Sequence, residues 1–385
     1  MSIYLDHAST TPLSNEVKKI ILESLEHYGN PSSLHGLGLA SERKIKQVKK
    51  RLSEIINGNE NNIIFTSGGT EANNLAILGM ARKRKTGKII TSVIEHPSVL
   101  ASVEQLGKEG YEIRILEVND KGIINLEQLA SELTTDTLLV SIMMINNEIG
   151  SVQPIKAISE IIRNFNDQNG VKIKFHVDAV QAFGKIQIDV KQLGIDALSI
   201  SSHKINGLKG CGALYLASQN QIKPLVYGGQ QEFSIRPGTE NLLGIIAFGE
   251  AMQNAQANLM ENYTYVSELK NRFIEIIAAD ENIIINSPND FPYILNISVL
   301  GVKGEVLLHS LEMKSVYVST GAACSSKKKN QSHVLEALKL NENSLESAIR
   351  VSFGKENRIE DIETAAKWLL EISSSLRTIM KMKKR

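Results

Sequence analysis

The stretch Ile63-Ile-Phe-Thr-Ser-Gly-Gly-Thr-Glu71 sets a short apolar run directly against a glycine turn, and helical spacing follows from Glu71 to Arg84. Consecutive apolar residues of strand length suit a strand buried on both faces, as in parallel sheets. Parallel neighbours are joined by crossovers, usually helices, and outward from this unit such an alternation repeats. Strand-type runs lie at Lys88–Ile94, Tyr111–Glu117, Thr137–Ile145, Val171–Val177, Ala197–Ser201 and Ala213–Leu216. Helical patterns occupy Ser98–Lys108, Leu126–Leu133 and Ile155–Asp167, and Val17–Tyr28 and Leu39–Ile56 precede the first strand. The pattern predicts an α/β domain with a mostly parallel sheet between helices.

Beyond this region the pattern changes. Leu243–Ala279 has no proline and only two glycines, and reads as one long helix leaving the first domain for a second. Then come strand-type Ile283–Ile285, Ile294–Val299 and Val316–Ser319, with a helix near Glu305–Glu312. The stripe Ile362, Ala366, Leu369, Ile372, Leu376 predicts a terminal helix over Ile359–Met380. The expected division is a large domain over 15–257 and a smaller α+β domain from 1–14 and 258–385.

Composition narrows the function. Lys plus Arg total 43 and Asp plus Glu 42, a net charge of +1 over 385 residues. That balance lacks the basic surplus of a general nucleic-acid or membrane-surface binder. No apolar run approaches the roughly 18 residues of a membrane span, and the N-terminus has no signal-peptide pattern. Cys211 and Cys324 are the only cysteines, so neither a disulfide scaffold nor a cysteine zinc site is expected. A cytoplasmic location is the expectation. No metal-ligand cluster and no P-loop is present.

The suspected strands end in polar residues. Ile63–Thr66 leads to Ser67-Gly-Gly-Thr70, Lys88–Ile94 to Glu95-His96, and Thr137–Ile145 to Asn146-Asn-Glu148. Val171–Val177 leads to Asp178 and, three residues on, Gln181; Ala197–Ser201 leads to Ser202-His-Lys204. In a parallel sheet these carboxyl ends line one edge, where ligand crevices form. Each has a bland reading. Ser-Gly-Gly-Thr makes a helix cap as readily as a phosphate cradle, Asp178 is a possible N-cap, and His96 before Pro97 suits a turn. Together, a lysine, a carboxylate, an imidazole and a cradle are the parts of a pyridoxal phosphate site: a Schiff-base lysine, an acid for the pyridine nitrogen and a phosphate anchor.

Several segments carry a resemblance. Tyr4-Leu-Asp-His-Ala-Ser-Thr-Thr-Pro12, Phe65-Thr-Ser-Gly-Gly-Thr-Glu71, Asn146-Asn-Glu-Ile-Gly150, His176-Val-Asp-Ala-Val-Gln181 and Ser202-His-Lys204 resemble class V aminotransferase-like enzymes. Arg236-Pro-Gly-Thr-Glu-Asn241 and Ser319-Thr-Gly-Ala-Ala-Cys324-Ser-Ser326 are similar to those of the cysteine desulfurases of the NifS/IscS type. The resemblance covers essentially the whole chain and implies a fold-type I, pyridoxal 5'-phosphate-dependent homodimer. Such an enzyme converts L-cysteine to L-alanine and passes the sulfur, held as a persulfide, to an iron–sulfur scaffold or a tRNA-thiolation enzyme.

By matching position, the resemblance assigns Lys204 to the covalent cofactor link, Asp178 to the pyridine nitrogen and Gln181 to the ring oxygen. It places His96 against the ring as a proton shuttle. Gly69, Thr70, Ser201 and His203 hold the phosphate, joined by Thr239 of the partner subunit. Asn147 contacts cofactor and substrate, Arg350 binds the substrate carboxylate, and Cys324 is the nucleophile. The lysines after Cys324 favour its thiolate; Cys211, between two glycines, reads as an inert structural thiol. His7, Ala322 and the basic Lys327–Gln331 depart from many relatives. The same scaffold also suits a selenocysteine lyase or a class V aminotransferase, and a different class of reading is a cofactor-free assembly scaffold.

Overall fold

The strand signals of the first two-thirds meet in one seven-stranded sheet. In the computed structural model, which describes residues 2–288, 291–320 and 332–383, its spatial order is Ile63–Thr66, Gly212–Leu216, Ala197–Ser201, Lys174–Asp178, Thr137–Met143, Lys88–Ser92, Glu112–Leu116. Gly212–Leu216 alone runs antiparallel to its neighbours. The turn between Ser201 and Gly212 is too short for the crossover that parallel pairing requires. The alternation of side chains down a strand explains why these runs are continuously apolar. Ile64 packs into one core with Leu75 and Leu139, whereas Ile63 and Phe65 face a second core containing Ile90, Val140 and Val177. Both faces are covered.

The expected long helix over Leu243–Ala279 is two helices, Leu242–Ala257 and Leu259–Ile277. The break is at Asn258, whose dihedrals (φ −117°, ψ 22°) leave the helical region and whose Nδ2 donates back to Asn254 O. The cause is burial rather than a proline or glycine. The first helix is apolar nearly all round and lies within the core, while the second buries one stripe, Val266, Leu269, Phe273 and Ile277. Asparagine is a poor helix former that tolerates this change of direction.

The rest of the chain builds two small sheets. Ile294–Val299 lies between Ala348–Ser352 and Ile283–Ile285, antiparallel to both. Ile3–Tyr4 pairs in parallel with Val316–Tyr317, which brings the N-terminal segment against the C-terminal region. The last helix is Ile359–Lys383. No helix among the described residues is long and apolar enough to cross a membrane.

Candidate active site

The parallel strands deliver their carboxyl ends to a cavity of about 370 Å³. Gly69, Thr70, His96, Asn147, Asp178, Gln181, Ser201, His203, Lys204 and Arg350 all line it. Thr239 is exposed and absent from the lining. Cys324 lies outside the described residues.

One end of the cavity is the start of the helix Gly69–Ala81, which has no side-chain cap. Its first N–H groups and positive dipole end favour an anion. Gly68 has φ +153°, a conformation side chains rarely adopt, and a Cβ on Gly69 would stand 2.6 Å from Val180 Cγ2. Both glycines are therefore needed for the backbone to expose these donors. Ser201 Oγ, buried beside them, has no hydrogen-bond partner among the described residues. Glu71 anchors the turn, accepting from Ser67 N (2.5 Å) and Arg236 Nε (2.8 Å).

Asp178, the last residue of its strand, accepts from Val180 N through Oδ1 (2.9 Å) and from Asn73 Nδ2 through Oδ2 (2.7 Å). Those bonds fix the plane of its carboxylate. His96 caps the helix Pro97–Lys108, its Nδ1 accepting from Ser98 N (3.1 Å). The neutral ring consequently carries its proton on Nε2, and burial holds its pKa below the ordinary value. Lys204 ends the turn after Ala197–Ser201, with Nζ on the carbonyls of Ala8 (2.5 Å) and Ser9 (2.7 Å). Burial and the Lys204 charge lower His203 to about 4, so it offers an anion a neutral hydrogen bond rather than a charge.

Arg350 approaches from the strand Ala348–Ser352 and is almost fully buried. Nη1 donates to Asn147 O (2.8 Å), and Nη2 to Asp6 Oδ1 (2.9 Å) and Ser9 Oγ (2.6 Å). Nε has no partner among the described residues, which leaves a donor for a carboxylate.

Some residues at the site carry no role in the motif reading. Asn73 orients Asp178 but stands mid-helix with no local signal. Ser332 and His333 line the cavity from the C-terminal region; Ser332 Oγ donates to Glu148 Oε2, and the His333 ring lies 3.0 Å from Glu95 O. Cys211 is buried, and burial pushes its thiol up to about 12, in keeping with an inert role.

Glu95, beneath this layer, gives a pH test. Its Oε1 accepts from Ser92 Oγ (2.6 Å) and Met143 N (3.0 Å), while Oε2 has no partner among the described residues. Burial pushes the carboxyl up from 4.5 to about 8. The unfolded chain thus releases this proton from pH 4.5 while the native state keeps it to about 8, and native stability falls as pH rises through that window. Glu95→Gln should cancel the loss. In denaturant titrations its stability relative to wild type should grow across the window, by at most about 1.4 kcal/mol per pH unit. Parallel pH profiles would show that Glu95 is ionised in the native state.

Comparison with known proteins places this geometry. The family model described as Aminotransferase class-V matches residues 3–364. The chain belongs to the class-V aminotransferase family. Among relatives in it, "Cysteine desulfurase IscS" of Clostridium botulinum (strain Hall) is 40% identical over 369 residues, spanning 94% of this chain and 91% of that one. A solved structure titled "NIFS-LIKE PROTEIN" superposes with a TM-score of 0.91 at 31% identity, covering 97% of this chain and 100% of that chain. Another, titled "SspA in complex with cysteine", gives a TM-score of 0.81 at 30% identity, with coverages of 92% and 99%. The architecture is that of the fold-type I enzymes.

The cofactor of class-V aminotransferases is pyridoxal 5'-phosphate, and the residues here fit it. An uncapped helix start with a Ser201 hydroxyl that has no partner among the described residues suits the phosphate, a fixed carboxylate at Asp178 suits a protonated ring nitrogen, and Lys204 supplies the amine.

Proposed function

We propose that the protein is a pyridoxal-phosphate-dependent cysteine desulfurase, converting L-cysteine to L-alanine and retaining the sulfur as a persulfide on Cys324. One observation carries this reading beyond the family: both flanks of the Cys324 segment are tied to the cavity. Ser319 exchanges backbone hydrogen bonds with Arg350 (3.1 and 2.6 Å), and Ser332 is part of the lining. An aminotransferase has no use for such a thiol, and a cofactor-free scaffold has no use for Lys204 and Asp178 together. The deciding experiment supplies the purified protein with cysteine and measures alanine and released sulfur under reducing conditions. Equimolar alanine and sulfide are expected. Transfer of the amino group to a keto acid, without sulfide, would refute the reading.

When bound, pyridoxal phosphate supplies an electron sink for charge at the substrate α-carbon. Asp178 holds the proton of the ring nitrogen, steadied by Asn73. Lys204 Nζ moves a proton at the α-carbon, and His96 Nε2–H stands on the cavity wall to exchange protons with the leaving sulfur. Arg350 orients the substrate through its carboxylate, and Asn147, whose carbonyl accepts from Arg350, shares that end of the site. Cys324 Sγ, as thiolate, bonds to the substrate sulfur as the Cβ–S bond breaks, its electron pair staying with the carbon, which takes up a proton to become the methyl of alanine.

We further propose a homodimer in which Thr239 completes the partner's phosphate site. Thr239 is exposed and outside its own cavity, just past a turn in which Glu232, Phe233 and Ser234 all have positive φ. Such residues cost about 1–3 kcal/mol each and persist where the surroundings hold them. Here Lys49 Nζ and Phe65 N both donate to Glu232 Oε2. Exposed apolar side chains at Leu34 (91%), Tyr28 (76%) and Tyr227 (83%) support a second copy as the cover. A lost phosphate hydrogen bond is worth about 1.5–3 kcal/mol, so Thr239→Val should weaken cofactor binding roughly ten- to a hundredfold. Mixing Lys204→Ala with Thr239→Val subunits should restore activity at limiting cofactor, because one site of the hybrid is wild type. No recovery despite subunit exchange would assign Thr239 to its own cavity.

The same reading divides the chain into 15–257 and 1–14 plus 258–385, with the helix break at Asn258 supporting that boundary. It places the enzyme in the cytoplasm, delivering sulfur to an acceptor protein, an iron–sulfur scaffold or a tRNA-thiolation enzyme.

A further inference from the structure

Lys185 is buried behind the active cavity, in the turn that follows Asp178. Gly184 sets its position: φ is +72°, and a Cβ there would come within 2.8 Å of Ile205 Cγ2, next to Lys204. Lys185 Nζ donates to Gln181 Oε1 (3.2 Å) and lies 5.4 Å from the centroid of the Tyr293 ring. Neither contact is an ion pair. The charged and titratable groups around it are Lys204, Arg350 and His7, with Lys355 and Glu356 across a small side cavity of about 40 Å³. Burial and these neighbouring cations lower its pKa to about 7. A buried amine is costly, and a methionine would fill the space at less cost, so the hydrogen bond to Gln181 calls for a purpose.

The amide of Gln181 is held at both ends. Its Nε2 donates to Ala8 O (2.9 Å), a group that only accepts, and its Oε1 faces Lys185. The amide therefore presents nitrogen, not oxygen, on the side toward Ala8, and retains a second N–H for the cavity that Gln181 lines. We propose that Lys185 is a positioning residue for the cofactor: by occupying the carbonyl end of the Gln181 amide, it keeps the NH2 end directed at the anionic ring oxygen of pyridoxal phosphate. The inference rests on the cofactor reading above. Without Lys185, Gln181 Oε1 is left buried and unpartnered, and the amide, tied at Nε2 to Ala8 O alone, pivots about that bond and no longer aims its second N–H.

The test is spectroscopic. The protein is reconstituted with pyridoxal phosphate and its visible absorption is titrated with pH. A donor to the ring oxygen favours the deprotonated form, so its loss raises the midpoint. Lys185→Met should shift the midpoint upward by about one pH unit, and Gln181→Ala by a similar amount. Lys204, His96, His203, Asp178 and Glu148 also border the cavity, but they are common to every variant and cancel in the comparison. Combining the two substitutions should add nothing to Gln181→Ala alone, the signature of one residue acting through the other. Lys185→Arg, which keeps a donor and can extend into the side cavity, should hold the wild-type midpoint. Lys185→Leu serves the same purpose as Lys185→Met should the latter fail to fold.

A Lys185→Met titration that overlays wild type would overturn the proposal, as would two shifts that simply add. A wild-type protein that takes up no cofactor would overturn the cofactor reading itself, and that result is seen before any variant is made.

Discussion

Lys204→Ala should leave a folded protein that makes no measurable alanine from cysteine. Lys204 is the amine that ends the turn after the strand Ala197–Ser201, and it lines the cavity together with Asp178 and His96. In the structure its Nζ rests on two backbone carbonyls, of Ala8 and Ser9. Removing it deletes both the covalent anchor and the base at the α-carbon. General acid–base assistance alone is worth about a hundred- to ten-thousandfold, and the lost covalent step adds to that, so a fall of at least about ten-thousandfold is expected. Borohydride treatment followed by peptide mass spectrometry locates the cofactor: in wild type the adduct should be on the peptide containing residue 204, and in the variant on none. A cofactor adduct on another lysine, with activity retained, would remove Lys204 from its place in the mechanism. Lys185 is the natural suspect, being buried nearby with a lowered pKa.

Cys324→Ser should separate cofactor chemistry from sulfur capture. Every described residue that fits the cofactor comes from other segments, so the visible spectrum and cofactor affinity should match wild type. Sulfide release should fall below roughly one per cent, since a hydroxyl is neither ionised nor a sulfur nucleophile at neutral pH. Cys211 cannot take over. It is 1% exposed, and its thiol is pushed up to about 12. Alkylation and mass spectrometry after a single turnover should find a persulfide on the wild-type peptide containing residue 324 and none in the variant. Persulfide at Cys211, or undiminished sulfide, would shift the nucleophile elsewhere.

Most of the seven-stranded sheet was legible because its strands are buried on both faces. Continuous apolar runs with polar ends, such as Ala197–Ser201 before Ser202-His-Lys204, announce both a strand and a site edge. The predicted helix across Asn258 failed for the opposite reason. Two adjoining helices with different burial follow one another directly, and no proline or glycine marks the joint. At the site, residues that end strands were readable, whereas those acting through a neighbour were not. Asn73 is one of two adjacent asparagines in its helix, with nothing local to set it apart from Asn74, and its bond to Asp178 spans 105 positions. Lys185 follows Gln181 by one helical turn's spacing, but nothing in that spacing says the side chain is buried. Family resemblance, not periodicity, supplied the roles of Arg350 and Thr239.

The hydrogen bond from Arg350 to Asp6 joins residues 344 positions apart, and it bears on the order in which the molecule is made. Asp6, Ala8 and Ser9 are synthesised well before their partners Lys204 and Arg350. During translation the early segment therefore stays bonded to water until the strand Ala348–Ser352 emerges. Contacts of such separation close late and slowly, since the loop entropy is lost before any contact rewards it. The catalytic pocket is consequently among the last parts of the chain to take shape. Its completion certifies that the polypeptide has been made and folded through residue 350, and a reactive sulfur chemistry begins only on chains that have passed that point.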